Sequence, residues 1–378
     1  MWKKHKEVLS VKFIVSQKEF LEGLQTVQRA VSNKNTLPIL SGVLIKAEDT
    51  QLKLVATDLE IGIECYINAK IITKGELVLP ASHLSSIVRE LPSMDVEVSC
   101  NLETKSAEII CGNSRFNING FPADDFPILP KLEEGVQLTI CQPLFKEVIE
   151  QVKIATSTDE TQPFLNGALL KITGNELIMA STNSYRLAHR MIQLENGIDG
   201  QVEVIIPNKT LDEMVRILGD DEDSSIRIQI TDNQILFEIE NIIIISRLIE
   251  GRFPNYEPVI PKNSNTFIRV NRKELLQAAK RVSLIAISNS NIIKATIDNG
   301  VTILESTNSE IGHAQEKLLV NMEGPGIEIS FNSVYLMDGL KVINSDEVKL
   351  CFGGKLSPLI LKPVDETNYI YVISPIRS

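Results

Sequence analysis

Asp58 and Glu60 stand two residues apart in LVATDLEI, a spacing that puts both side chains on one face of a strand, where paired carboxylates could share acid–base work. The four histidines, His5, His83, His189 and His313, are scattered, and none forms a ligand pair with Cys or Asp at metal spacing. Cys65, Cys100, Cys111, Cys141 and Cys351 are an odd set without a C-x-x-C pair. They fit neither a disulfide framework nor a zinc site and suit a reducing cytoplasm. Gly353-Gly354-Lys355 runs straight into Leu356, outside the frame of a phosphate loop, and reads as a hairpin turn. No catalytic residue, metal or cofactor is expected.

Internal repetition weakens the carboxylate reading. Thr57-Asp58, Thr182-Asn183 and Thr307-Asn308 follow one another at steps of 125 residues, and the residues equivalent to Asp58 and Glu60 are Asn183 and Tyr185, then Asn308 and Glu310. A side chain that is an amide in two of three copies suits the closing of a turn better than proton transfer. A glycosidase using Asp58 and Glu60 is kept as a rival, as is a β-rich scaffold.

The flanks of the three dipeptides repeat as well. Upstream lies an amphipathic helix with apolar positions Phe20, Leu24 and Val27, then Phe145, Val148 and Val152, then Leu275, Ala279 and Val282; Ser16 with Glu19 and Asn271 with Glu274 supply capping boxes. Downstream a second helix carries Leu84 and Val88, Leu211 and Val215, Leu336 and Leu340. Pro80 and Pro207 open the first two, with Phe331 in that place in the third. Alternating runs such as Leu52–Ala56 and Gln234–Ile239 read as strands. GFPADDFPILP and GRFPNYEPVIP, dense in proline, read as connectors. The fold class is therefore α+β, with three repeated domains at 1–130, 131–261 and 262–378.

The net charge of −11 argues against a polyanion partner unless the cations are segregated. They are patterned: Arg89, Arg216 and Lys341 follow the aligned Val88, Val215 and Leu340, and the first helices add Lys146, Lys153, Lys280 and Arg281. No aromatic residues interleave them, so phosphate contact without base reading is the physical match. The basic start MWKKHKEVLSVKFIV is interrupted by Glu7 and Lys12 before a secretory apolar stretch can form, and Ile242 to Ile245 is too short to span a membrane. A soluble cytoplasmic protein is expected.

NTLPILSGVLI, VATDLEI, SRFNINGFPADDFP, STNSYRLA, RLIEGRFPNYEPVIP and the tail YIYVISPIRS resemble the bacterial DNA polymerase III β subunit, or sliding clamp, family over nearly the whole length. The resemblance implies a homodimer closed head to tail into a ring of six domains, with helices lining a hole for duplex DNA, and a non-catalytic role as processivity factor. It adds Lys34 to the DNA-contacting cations and implies a dimer contact from Phe116 and Ile118 with Ile285 and Ile287. It further implies that the DNA polymerase, clamp loader and repair proteins dock short linear peptides between the second and third domains. The residues carried over are Thr182, Tyr185, Arg186, Leu187, Pro254, Val259, Val372, Ser374, Pro375, Ile376 and Arg377, with Ile376 beside Leu187, Pro254 and Val259. The family usually begins near the equivalent of Val11, so residues 1–10 read as an extension, and Ser374 replaces a commonly bulky apolar residue. A divergent second clamp with a repair role is the alternative within the family.

Overall fold

A computed structural model describes residues 10–32, 37–101, 103–130, 134–287, 290–365 and 368–377. Lys34 and residues 1–9 of the expected extension lie outside the described residues. The first repeat runs β1 (Ser10–Ser16), α1 (Gln17–Val27), β2 (Gly42–Glu48), β3 (Gln51–Thr57), β4 (Ile61–Asn68), β5 (Lys70–Thr73), β6 (Gly75–Pro80), α2 (Ala81–Glu90), β7 (Asp95–Asn101), β8 (Ser106–Cys111) and β9 (Ser114–Asn119). The second runs β10 (Val136–Cys141), α3 (Gln142–Lys153), β11 (Gly167–Thr173), β12 (Glu176–Thr182), β13 (Arg186–Gln193), β14 (Gln201–Pro207), α4 (Asn208–Ile217), β15 (Ser225–Ile230), β16 (Gln234–Ile239) and β17 (Ile242–Arg247). The third runs β18 (Thr266–Asn271), α5 (Arg272–Ala286), β19 (Ile292–Asp298), β20 (Val301–Asn308), β21 (Gly312–Leu319), β22 (Asn321–Glu323), β23 (Ile327–Asn332), α6 (Ser333–Lys341), β24 (Glu347–Phe352), β25 (Leu359–Pro363) and β26 (Tyr369–Ile373).

These elements gather into two compact units whose boundary cuts through the second repeat. One unit holds the described residues up to Cys141 together with Asp221–Arg247; the other holds Gln142–Asp220 and Leu248 onward. In the first unit an antiparallel sheet β5-β1-β7-β8-β9 stands beside an eight-stranded one, β10-β15-β16-β17-β4-β3-β2-β6. The second unit has a nine-stranded sheet β14-β11-β12-β13-β26-β25-β24-β18-β22 and a four-stranded sheet β21-β20-β19-β23. The longer sheets cross repeat boundaries: β17 of the second repeat pairs with β4 of the first, and β26 of the third with β13 of the second.

Within each repeat the two helices pack on each other and the first packs on strands of its sheet: α1 on β3 and β4, α3 on β12 and β13, α5 on β20 and β21. The 3.6-residue period explains the choice of face, since Phe20, Leu24 and Val27 of α1 and Leu275, Ala279 and Val282 of α5 are fully buried. Gly23 lets α1 lie close to the sheet; a Cβ there would come within 2.8 Å of Leu54 Cδ1. The caps follow the sequence. Ser16 Oγ accepts from the Glu19 amide at 3.2 Å and Asn271 Oδ1 from the Glu274 amide at 3.1 Å. At the start of α6 the residue in the place of Pro80 and Pro207 is Asn332 rather than Phe331, and its Oδ1 accepts from the Val334 amide at 2.9 Å. Proline pre-sets φ, whereas asparagine satisfies an orphan donor, so either can open a helix.

Candidate functional site

The Thr-Asx dipeptides build turns. Thr57 ends β3, so Asp58 and Glu60 lie in a turn and not on a strand as the spacing suggested; Asp58 Oδ1 accepts from the Glu60 and Ile61 amides at 2.9 and 2.8 Å. Asn183 Oδ1 does the same for Tyr185 and Arg186, both at 3.1 Å, and Asn308 Oδ1 for Glu310 and Ile311, both at 2.9 Å. The side-chain oxygen of Asp58 thus closes the turn as the amide oxygens of Asn183 and Asn308 do in the other repeats.

In the second unit this turn forms one wall of a cleft of about 440 Å3. Thr182 Oγ1 donates to the Arg186 carbonyl at 2.7 Å and Ser184 takes a positive φ of 73°, which brings the chain sharply back into β13. The pairing of β13 with β26 sets Leu187 opposite Val372, and the Ser374 amide extends it by donating to the Tyr185 carbonyl at 2.8 Å. The connector after β17 supplies Pro254 and Val259. Seven of the eleven expected residues thus line the cleft: Thr182, Arg186, Leu187, Pro254, Val259, Val372 and Ser374. Tyr185 stands exposed beside it, and Pro375, Ile376 and Arg377 are not in its lining. Ile376 is half-buried outside that lining, and its amide donates to the Ser330 carbonyl of β23 at 2.7 Å.

The remaining lining is Gln162, Phe164, Leu165, Ser184, Asn255 and Tyr256. Pro163, which opens a short 3-10 turn at Pro163–Leu165, was the one sequence signal that could have pointed to Phe164 and Leu165. Tyr256 packs edge-on to Phe253 with ring centroids 6.1 Å apart, and burial pushes its hydroxyl up to about 12. At the cleft's polar side Arg186 Nη1 bonds Asp338 Oδ2 at 2.9 Å, while the guanidinium lies 4.5 Å from the Tyr335 ring centroid. Burial works against that charge, but the oxygens of Tyr371 and Asp338 outweigh it and hold Arg186 firmly protonated. An apolar floor with one ordered cation suits a short segment carrying aliphatic or aromatic anchors and an acid.

The first unit contains a cleft of about 300 Å3 on the same plan, lined among others by Thr57, Leu59, Glu60, Gly62, Ile128, Leu129, Ile245 and Arg247. Gly62 stands opposite Ile245, and the Arg247 amide donates to the Glu60 carbonyl at 2.9 Å.

The cations expected on the helices occupy their last turns at Arg89, Arg216 and Lys341. Most are already in company. Lys146 pairs with Asp220 at 2.6 Å, Lys153 with Asp212 at 2.7 Å, Arg216 with Glu213 at 2.7 Å and Lys341 with Asp338 at 3.1 Å. Arg281 meets Glu316 with two bonds of 2.7 and 2.8 Å. Arg89 and Lys280 are exposed with no carboxylate partner among the described residues. Of the expected dimer residues, Phe116 and Ile118 lie on the sheet-edge strand β9, Phe116 exposed and Ile118 half-buried. Ile285 is half-buried at the end of α5 and Ile287, just beyond it, is exposed.

All five cysteines are free, and four of them are buried, with burial raising Cys65 to about 11 and Cys100 to about 12. Among the described residues no three His, Cys, Asp or Glu side chains converge as a metal site would require. No helix among them is long and apolar enough to cross a membrane.

Three family models cover the chain: the DNA polymerase III β subunit N-terminal domain at residues 11–130, its central domain at 139–255 and its C-terminal domain at 257–377. The β sliding clamps of Staphylococcus epidermidis and Staphylococcus aureus are each 37% identical to it, the match taking in 97% of this chain and 100% of theirs. Among solved structures, the DNA polymerase sliding clamp of Bacillus subtilis superposes with a TM-score of 0.93 at 34% identity, over 97% of this chain and 99% of that one. A Pseudomonas aeruginosa sliding clamp bound to griselimycin does so at 0.92 and 28% identity, over 98% and 100%. With all three of its domains matched in order and relatives alike from end to end, this chain belongs to the DNA polymerase III β subunit family, the sliding clamps.

Proposed function

We propose that the chain closes with a second copy, head to tail, into a ring that encircles duplex DNA and tethers the replicative polymerase and other partners to it without catalysis. The observation that carries this reading is the pair of sheet edges left over by the repeat. The last strand of the second repeat, β17, joins β4 of the first, and the last strand of the third, β26, joins the equivalent strand β13 of the second. The registers agree, with Ile244 opposite Ile63 and Tyr371 opposite Ala188. The last strand of the first repeat, β9, and the third repeat's equivalent of β4 and β13, β21, both stand at sheet edges. A β9 edge laid on β21 of another copy repeats the same joint, and two such joints close a cyclic assembly without leaving an open edge of this kind. The register carried over sets Phe116 opposite Ala314 of the partner subunit. It brings the exposed Phe116 under cover, and the apolar Ile287 and Ile285 at the end of α5 are the companion surface.

We take the domains as 1–130, 131–261 and 262–378, six to a ring. Arg89, Arg216 and Lys341, with Lys34, Lys146, Lys153, Lys280 and Arg281, are assigned to the DNA-facing helices and loop. Because several of these cations already have carboxylate partners, phosphate must compete for them, and the resulting weak, sequence-blind contact suits sliding better than gripping. The cleft at Leu187 and Val372 is assigned to short linear segments of the polymerase, clamp loader and repair proteins. Work on the chromosome puts such a ring in the cytoplasm.

Phe116→Asp tests the assembly. Sedimentation at micromolar concentration should give monomers, and the variant should lose the salt-resistant retention on circular over linear duplex that a topological link confers. A dimer that survives the substitution would overturn the joint.

A further inference from the structure

One carboxylate in the second unit serves two surfaces. Asp338, on α6, accepts from Arg186 Nη1 through Oδ2 at 2.9 Å and meets Lys341 Nζ through Oδ1 at 3.1 Å. Arg186 lines the cleft and Lys341 is one of the repeated helix cations, 54% exposed. Tyr335, one turn before Asp338, supports the guanidinium from below, and Tyr371 faces it through a longer 3.4 Å contact. Positive, negative and positive charges therefore form a short row from cleft to helix end.

We propose that Asp338 couples the cleft to the DNA-facing helix, so that an acidic segment on Arg186 and a phosphate on Lys341 oppose each other. The proposal rests on the reading of the cleft as a docking site. An acid drawn to Arg186 takes part of the guanidinium from Asp338, which then holds Lys341 more strongly; a phosphate must displace that carboxylate to reach the ammonium. Conversely, a phosphate that draws Lys341 away leaves Arg186 as the sole counter-charge of Asp338 and less open to a second acid. The effect is reciprocal by linkage, and exposed ion pairs of this kind set its size at about two- to five-fold. The consequence for a clamp is an exchange of partners that responds to whether duplex lies against α6.

The test uses the full chain and a fluorescent synthetic peptide with a leucine, a phenylalanine and one aspartate. Its Kd is measured by anisotropy at fixed ionic strength, with and without saturating short duplex. Duplex should weaken the peptide by about two- to five-fold. The dependence should vanish in Lys341→Ala and in Asp338→Asn, return in Lys341→Arg, and be missing for a peptide with asparagine in place of aspartate. Equal dependence in the intact protein and Lys341→Ala overturns the coupling, as does a peptide that binds without responding to duplex. A peptide that fails to bind in the absence of duplex takes down the docking reading and the coupling with it.

Discussion

The clefts of the two units are built from the same stations and differ in what fills them. Thr57, Gly62, Ile245 and Arg247 in the first unit stand where Thr182, Leu187, Val372 and Ser374 stand in the second, each pair fixed by equivalent strand register. Gly62 brings no side chain, and Leu129 from the connector covers the space, its Cδ2 lying 2.6 Å from where a Cβ would be. In the second unit Leu187 makes the floor itself and the connector stays at the rim, with Val259 46% exposed. The mouths differ too, because Arg247 and Glu60 face each other at 4.0 Å across the first cleft while the small Ser374 and the outward Tyr185 leave the second open. The scaffold occurs twice, and the cleft proposed for docking is the one that has a floor residue and no ion pair between the stations of Arg247 and Glu60.

The comparison is broken most severely by removing residues 374–378. The Ser374 amide closes the strand pairing at the cleft and nothing replaces it from the connector, so a cleft-binding peptide should lose all measurable affinity in a titration while sedimentation still shows a dimer. Retained affinity would mean that the first unit, or another surface, carries docking.

A smaller effect sharpens the comparison in the first unit. Gly62→Leu copies the second unit's floor but collides with Leu129, and overpacking of this kind costs about 1–3 kcal/mol. Urea unfolding should register it, and Leu129→Ala in the same chain should restore most of the loss, a coupling larger than the sum of the separate changes allows. Additive behaviour would show that the two side chains do not share one space.

The smallest effect is a pH dependence that belongs to the second unit alone, since Glu64 holds in the first the station of His189. Burial is the main cause that lowers His189, with Glu176 and Glu257 opposing it, and its ring lies 5.6 Å from that of Tyr256. The unfolded chain therefore takes up a proton near 6.5 while the folded one resists until lower pH. The contribution to stability is intact above pH 6.5 and is lost as pH falls through the folded value. His189→Gln should flatten urea-derived stability between pH 7 and 5 relative to the unchanged chain; parallel curves would remove His189 as the cause.

Local features were legible in the residues. The repeated Thr-Asx turns, the apolar stripes of the helices and the caps at Ser16 and Asn271 all depend on neighbours within a few positions, where spacing speaks directly for geometry. What depends on distant register was not. Nothing within β17 says that it continues the sheet of β4, because any Ile-rich strand satisfies the same pattern, and only the register decides that Gly62 meets Ile245. The meeting of Arg186 with Asp338 joins residues 152 apart, and the bond from the Ile376 amide to the Ser330 carbonyl is a backbone contact to which side-chain type is blind. Phe164 and Tyr256 in the cleft were not legible for the same reason: Tyr256 stands in the connector GRFPNYEPVIP and Phe164 in none of the repeated motifs, and only the fold brings them to one place.

The joint between β4 and β17 also orders events in time. Ile63 and Cys65, both buried when the sheet is complete, acquire their neighbours Ile244 and Ile242 only after about 180 further residues have been made. At roughly 5–20 residues per second that is a wait on the order of ten to forty seconds, during which an apolar strand edge faces the crowded interior around the ribosome. An emerging chain with such an edge invites pairing with whatever strand is near, including its twin on the next ribosome. The seam that makes the finished molecule continuous is thus a vulnerable place during synthesis, as is the equivalent joint of β13 with β26, and these waiting edges are what a chaperone would have to protect.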